Sequence, residues 1–345
     1  TCGCGRSGGS QARSGKACRY ACPGSVIHSI PSSLPPIPFL KMEGIGNDFV
    51  VVDLRKSTPP AWLDDAGIIS YLCDRHLGIG ADGVLAVLDA RPGSGAAARM
   101  RVLNADGSEA EMCGNGIRCV AKYLYENDHQ LAQETLGRAV SAGEAPALML
   151  ETRAGIRRCT LHLQAGTVPG RVAEVEVAMG RPRLTRAELP MDGTANEHCI
   201  DQPIPLDGVE VRISAISMGN PHAVLFAPAA ASFAALHTLA NRFGPRLENH
   251  PLFPQRTNVA LARPLGPSAF EVVVWERGCG ITQACGTGAC ATAVAACLVG
   301  LANEERWLSI TLPGGSLQVM VKADLSEVYL RGPARYVFRG GLSLG

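Results

Sequence analysis

Apolar positions along the chain fall into short runs punctuated by glycine and aspartate, not into long stripes. Val50-Val51-Val52 and Val84-Leu85-Ala86-Val87-Leu88 are compact runs of this kind and predict strands. The segments 172–178, 209–217 and 271–275 read the same way. Two stretches differ. Gly116 to Glu126 follows a glycine-rich turn and predicts a helix, and a second, alanine-rich helix is predicted from Gly288 to Val299, closed by Gly300. Between them, Asn127 to Pro146 is polar and reads as a loop-like or helical surface insertion. Strands interleaved with a few helices place the chain in the mixed α/β (α+β) class.

The first 36 residues do not share this pattern. They carry Arg6, Arg13, Lys16 and Arg19, no acidic residue, and many Ser and Gly. That composition predicts an organellar transit segment, with a plain disordered tail as the alternative. Cys2 and Cys4 form a C-x-C and Cys18 and Cys22 a C-x3-C with no acidic neighbour, and they read as coincidence, not as a zinc site. Globular sequence begins near Phe39.

Over 345 residues the formal net charge is +1, which gives no reason to expect nucleic acid or an anionic membrane as partner. No run approaches the roughly 18 apolar residues of a membrane span. Thirteen cysteines in so long a chain predict free thiols in a reducing compartment, not a disulfide framework.

The chemistry is carried by an internal repeat. Gly46-Asn47-Asp48-Phe49-Val50-Val51 recurs as Gly219-Asn220-Pro221-His222-Ala223-Val224, and Cys113-Gly114-Asn115-Gly116 recurs as Cys285-Gly286-Thr287-Gly288. The Asn-to-Cys separations are 66 and 65 residues, so the two motifs repeat in register. Asn104 and Glu276 each lie nine residues before their cysteine. Two repeats are too few for a solenoid and predict a pseudo-twofold pair of α/β domains.

Each C-G-x-G sits where a helix is predicted to start. The first N–H groups of a helix lack internal partners and carry partial positive charge. Glycines let a ligand approach them, and a cysteine there is expected to have a lowered pKa. Two such starts face to face would grip one carboxylate and flank the neighbouring carbon with two sulfurs. One sulfur would remove an α-proton and the other deliver one to the opposite face, with modest tuning leaving one thiolate and one thiol near neutral pH. Three other readings stay open: a hydrolase with Cys285 as nucleophile and His222 as base, a zinc site built from Cys113, Cys279, Cys285 and Cys290, and a non-catalytic binding module. The run Gly78-Ile79-Gly80-Ala81-Asp82-Gly83 lacks the setting of a nucleotide loop and reads as a tight turn.

Several long motifs together resemble diaminopimelate epimerases. They are the run Phe39 to Phe49, Asn104-Ala105-Asp106-Gly107-Ser108 with Met112 to Cys119, Met218-Gly219-Asn220-Pro221-His222, Arg256-Thr257-Asn258, and Trp275-Glu276-Arg277-Gly278 with Ala284 to Cys290. The likeness spans about 38 to 345 and is strongest to the plant and cyanobacterial branch, through 78–83 and Leu312-Pro313-Gly314-Gly315. It implies conversion of LL-2,6-diaminopimelate to the meso form in lysine biosynthesis, with no pyridoxal phosphate, metal or other cofactor. It implies Cys285 as base and Cys113 as acid in that direction, and His222 and Glu276 as residues that tune the cysteines. The substrate-binding set it implies is Asn47, Asn104, Gly114, Asn115, Asn220, Asn258, Glu276, Arg277, Gly286 and Thr287. The implied fold is two similar domains, each a β-roll around a central helix, frequently assembled as a homodimer. The expected segments are 1–36 (transit), 37–170, 171–330, and 331–345 as a strand returning to the first domain. The expected compartment is the plastid stroma, with the cytoplasm as alternative. Proline racemases, which also use two cysteines, and phenazine-pathway isomerases have related folds, so a proline-racemase-like activity is the nearest competitor. Three departures stand out: Gly83 replaces a frequent Gln, Cys279 a frequent Ala, and the 127–147 segment is longer than usual.

Overall fold

The computed structural model of the protein describes residues 36–166, 170–206 and 208–342. The expectation for 1–36 therefore lies outside the described residues except at Pro36. In chain order the first half comprises β1 (Ile37–Gly44), β2 (Asn47–Asp53), α1 (Ala66–Cys73), β3 (Gly83–Leu88), β4 (Ala98–Asn104), β5 (Glu109–Ala110), α2 (Gly114–Asn127), α3 (His129–Ala142), β6 (Ala147–Thr152), β7 (Gly155–Leu163) and β8 (Val172–Gly180). The second half comprises β9 (Gln202–Leu206), β10 (Val209–Ser217), β11 (Pro221–Phe226), α4 (Phe233–Glu248), β12 (Asn258–Gly266), β13 (Ala269–Glu276), β14 (Gly280–Ile281), α5 (Gly286–Leu298), β15 (Leu308–Leu312), β16 (Gly315–Val321), β17 (Val328–Pro333) and β18 (Arg335–Leu342).

The strand pairings obey the repeat. β1–β2 is antiparallel, β2–β3 parallel, β3–β4 antiparallel and β4–β6 parallel. The second half repeats the series as β10–β11, β11–β12, β12–β13 and β13–β15. In each half two further antiparallel steps follow, β6–β7–β8 and β15–β16–β17. The halves join where β8 pairs with β17, Val177 opposite Leu330. β18 then returns to pair with β1, as β9 pairs with β10. β8, just past the expected boundary at 170/171, pairs with β7 on one side and with β17 on the other, and packs on α2.

Each roll wraps one helix. In α5, Gly286 and the run Gly288 to Cys297 are buried, which is why its sequence is apolar all round and shows no amphipathic stripe. α2 buries Ile117, Cys119, Val120, Ala121 and Leu124 against β1–β8. Both helices begin two residues earlier than the sequence suggests, because the glycines of C-G-x-G form their first turns. Gly300, with φ +75°, ends the α5 segment as expected. The polar 127–146 stretch is mostly α3, capped by Asp128, which accepts from Leu131 N–H, and ended by Gly143 in the left-handed region. α1 and α4 are additional helices, inserted at the same place in the two halves: before β3 and before β12.

Candidate active site

Cys113 and Cys285 are the N-caps of α2 and α5. Their backbones match, with φ/ψ of −134/116° and −128/102°, and each Sγ accepts the N–H three residues on, from Gly116 or Gly288, at 3.4 Å. Ser, Thr, Asp and Asn are the usual caps. A thiol in both positions sacrifices cap strength, which local stability does not explain and chemistry does.

The two helix starts meet. A Cβ added at Gly286 would stand 3.6 Å from Gly114 Cα, and one at Gly114 would stand 3.8 Å from Gly286 Cα. The Asn115 amide crosses this contact, donating to the Ala284 carbonyl at 3.3 Å and to Asn47 Oδ1 at 3.1 Å. Asn47 in turn donates to Asp82 at 2.7 Å, and its Oδ1 lies 3.9 Å from Cys113 Sγ.

The second half repeats the arrangement with a histidine inserted. His222 Nε2 lies 3.3 Å from Asn220 Oδ1 and 3.0 Å from Thr287 Oγ1, and Thr287 Oγ1 lies 3.5 Å from Cys285 Sγ. His222 is fully buried and its Nδ1 has no partner among the described residues. A lone pair is cheaper to leave there than an N–H, so the proton belongs on Nε2. Burial, helped by Arg277, pushes the ring down to about 3. Nε2 is directed at Thr287 and Asn220, and among the described residues the ring makes no hydrogen bond to Cys285, so His222 is not placed as a base to that sulfur.

The remaining predicted residues flank this core. Asn258 is buried on β12, donating to the Pro221 carbonyl at 2.9 Å and accepting the Arg277 N–H at 2.9 Å. The Arg277 guanidinium is exposed and donates to the Gln255 carbonyl at 2.9 Å. Asn104 is exposed at the end of β4, where its amide donates to Ser108 Oγ at 2.9 Å. Glu276 accepts from Thr282 at 2.5 Å and faces the Cys285 thiol; burial raises its pKa.

The lowered thiol pKa expected from the helix starts is not what the structure shows. Burial pushes Cys113 up despite the Gly116 and Asn115 N–H groups. Burial and the Glu276 carboxylate push Cys285 well above its ordinary value, against the opposing bonds from Thr287 and Gly288. Desolvation of a buried sulfur outweighs the helix-start stabilisation, so both are thiols until a charge moves.

Sequence reasoning passed over several residues that hold the site. Glu248, buried at the end of α4, accepts from Trp275 Nε1 (2.7 Å), Gly278 N–H (2.9 Å) and Arg256 (3.1 Å), and so fixes the loop presenting Glu276 and Arg277. Asp82 is held by Arg75 at 2.8 Å, and Arg75 is paired with Asp48, which also binds Lys41. Gly83 has a steric reason: a Cβ there would lie 2.6 Å from the Leu103 carbonyl. Cys279 is exposed between Gly278 and Gly280, both at positive φ. Among the described residues no group of three or more His, Cys, Asp or Glu side chains is placed to hold a metal, and no helix is long and apolar enough to cross a membrane. A surface cavity of about 510 Å³ near Ser268 and Trp307 contains none of these site residues, and the Trp307 ring carries the Arg331 guanidinium at 4.7 Å.

Two quasi-symmetric rolls that bring a capping thiol from each half to one small site define an enzyme acting on a small molecule. The family model for diaminopimelate epimerase matches residues 39–185 and 214–337. The diaminopimelate epimerase of Moorella thermoacetica is 44% identical over 306 residues, covering 89% of this chain and 99% of that protein. That of Microcystis aeruginosa is 41% identical, covering 88% and 98%. Among solved structures, a hydroxyproline epimerase from Agrobacterium vitis with bound trans-4-hydroxy-L-proline superposes with a TM-score of 0.64 at 16% identity, covering 88% of this chain and 90% of that one. A phenazine biosynthesis protein from Bacillus anthracis gives 0.55 at 15%, covering 90% and 99%. These two share the fold. The chain belongs to the diaminopimelate epimerase family and is an isomerase of the epimerase type.

Proposed function

We propose that the protein interconverts LL- and meso-2,6-diaminopimelate, a step of lysine biosynthesis, by a cofactor-independent two-thiol mechanism. The observation that carries this reading is the pair of matched caps, Cys113 and Cys285, on helix starts in mutual contact. The reacting carboxylate sits on the N–H groups of Gly114-Asn115 and Gly286-Thr287, which stabilise the charge it gains as the α-proton leaves. Glu276 takes the Cys285 proton, and the thiolate is stabilised by the Thr287 hydroxyl that His222 orients. Cys285 then removes the α-proton from one face, and the Cys113 thiol delivers its proton to the other. In reverse the roles exchange. Arg277 offers a paired contact to the distal carboxylate, and Asn47, Asn104, Asn220 and Asn258 line its approach. Two amino-acid ends on the substrate use this set, whereas proline would leave Arg277 idle. Incubating purified protein with the LL isomer under reductant tests the reading: meso product is expected. No inversion, or inversion of proline instead, refutes it.

A homodimer is part of the proposal. β18 pairs only with β1 among the described strands, and it exposes Tyr336, Val337 and Phe338 at 38%, 56% and 47%. A free, apolar edge is a ready surface for a second copy. Basic, acid-free composition supports plastid import for residues 1–36. A fused reporter that stays in the cytosol refutes import.

A further inference from the structure

Arg118 lies in the second turn of α2 and is fully buried. Buried arginines are ordinarily paired with a carboxylate. Among the described residues this one forms no ion pair, and its Nη2 is without a hydrogen-bond partner. Nη1 donates to the Gly114 carbonyl at 3.0 Å and Nε to the Pro333 carbonyl at 3.1 Å. Glycines make the slot: a Cβ at Gly44 would stand 3.0 Å from Nη2, and one at Gly332 would stand 3.4 Å from Nε. The side chain therefore ties the start of α2 to the crossover from β17 to β18.

The Gly114 carbonyl and the Asn115 N–H are two ends of one peptide group. That N–H has no partner within the helix and is directed at Cys113. A cation bonded to the carbonyl polarises the peptide and makes its N–H a stronger donor. The second half has no such reinforcement: five residues after its capping cysteine stands Cys290, where the first half has Arg118.

We infer that Arg118 is a positioning residue, a buried cation that backs the Asn115 N–H and strengthens the anion-binding start of α2 on the Cys113 side alone. For the identity of that anion, a substrate carboxylate, the inference rests on the proposed function. The other titratable groups around Cys113 and Arg118 are Glu276 from β13, Glu43 from β1, Cys285 and Cys290 from α5, and Cys119 from α2. Glu276 opposes the anion that Arg118 favours.

Arg118→Gln removes the charge and keeps a donor, whereas Arg118→Lys keeps the charge. The first readout is the pH dependence of Cys113 alkylation by iodoacetamide in substrate-free protein, followed by peptide mass spectrometry. Arg118→Gln should raise the midpoint by about half a unit to one unit, and Arg118→Lys should leave it near the wild-type value. The second readout is turnover of LL-diaminopimelate. Arg118→Gln should lower kcat by about 10- to 100-fold with a much smaller change in KM, since the donor matters most as charge develops. A folded Arg118→Gln protein with wild-type midpoint and kcat overturns the inference. So does an Arg118→Lys midpoint displaced as far as that of Arg118→Gln, because shape and not charge would then be at work. Should Arg118→Gln fail to fold, Arg118→Lys decides: a wild-type midpoint supports the assignment and a raised one overturns it. A protein that obeys the alkylation pattern yet does not epimerise diaminopimelate removes the substrate reading and leaves Arg118 standing.

Discussion

The side-chain amide of Asn115 in the first half donates to the carbonyl of Ala284 in the second, at 3.3 Å, immediately before Cys285. The two halves are thus stitched at the point where their helix starts meet. Asn115→Ala removes the amide that donates to that carbonyl and to Asn47 Oδ1. The expected cost is about 1–3 kcal/mol in denaturant unfolding. Turnover should fall by at least about tenfold, because small misplacements of reacting groups are expensive. Unchanged stability and turnover would mean that the stitch is dispensable.

Cys113→Ser and Cys285→Ser should each fold, since serine is the better N-cap. Each should lose about 100- to 10,000-fold in epimerisation, the range expected when a positioned acid or base is removed. Activity retained by either variant would favour a single-base mechanism.

Thr287→Val removes the hydroxyl that lies between His222 and Cys285. Without that donor the thiolate is less stable, so the acid limb of the kcat/KM profile should move to higher pH. Thr287→Ser should restore it. A profile unmoved in Thr287→Val would show that the His222 relay does not reach the sulfur.

His222 gives a stability prediction with a definite sign. Its folded pKa, about 3, lies below the ordinary 6.5. Between those values the unfolded chain binds a proton that the native protein excludes. Stability therefore falls as pH drops from about 6.5 toward 3, with a slope of up to about 1.4 kcal/mol per pH unit from this residue. His222→Gln should flatten that slope in denaturant titrations across the window. An unchanged slope would place the acid sensitivity elsewhere.

The repeat was legible because its residues are chemically distinctive and evenly spaced. Asn47 and Asn220, Cys113 and Cys285 mark the symmetry that β1–β8 and β10–β17 then realise. The place of β8 was less legible: nothing local in 172–178 says that this strand pairs backward with β7 and across to β17. Positive charge such as that of Arg118, set between Ile117 and Cys119 in an apolar helix, is a signal that sequence alone can supply, since a charged residue at a core position needs a reason. Glu248 and Asp82 gave no such signal, because an acidic residue near a helix end or in a turn reads as solvated. The thiol pKa values were misjudged for a related reason. A helix start is visible in sequence, whereas the burial that outweighs it is a property of the assembled halves.

The central claim is that two thiols act on opposite faces of one α-carbon. The direct measurement is the fate of solvent deuterium when LL-diaminopimelate is converted in deuterated water under reductant and stopped early. Deuterium should appear at the inverted carbon of the meso product while the remaining LL substrate stays largely unlabelled, because the thiol that donates is not the one that abstracted. Equal labelling of substrate and product at early times, or inversion that carries the substrate's own proton across, would contradict the account.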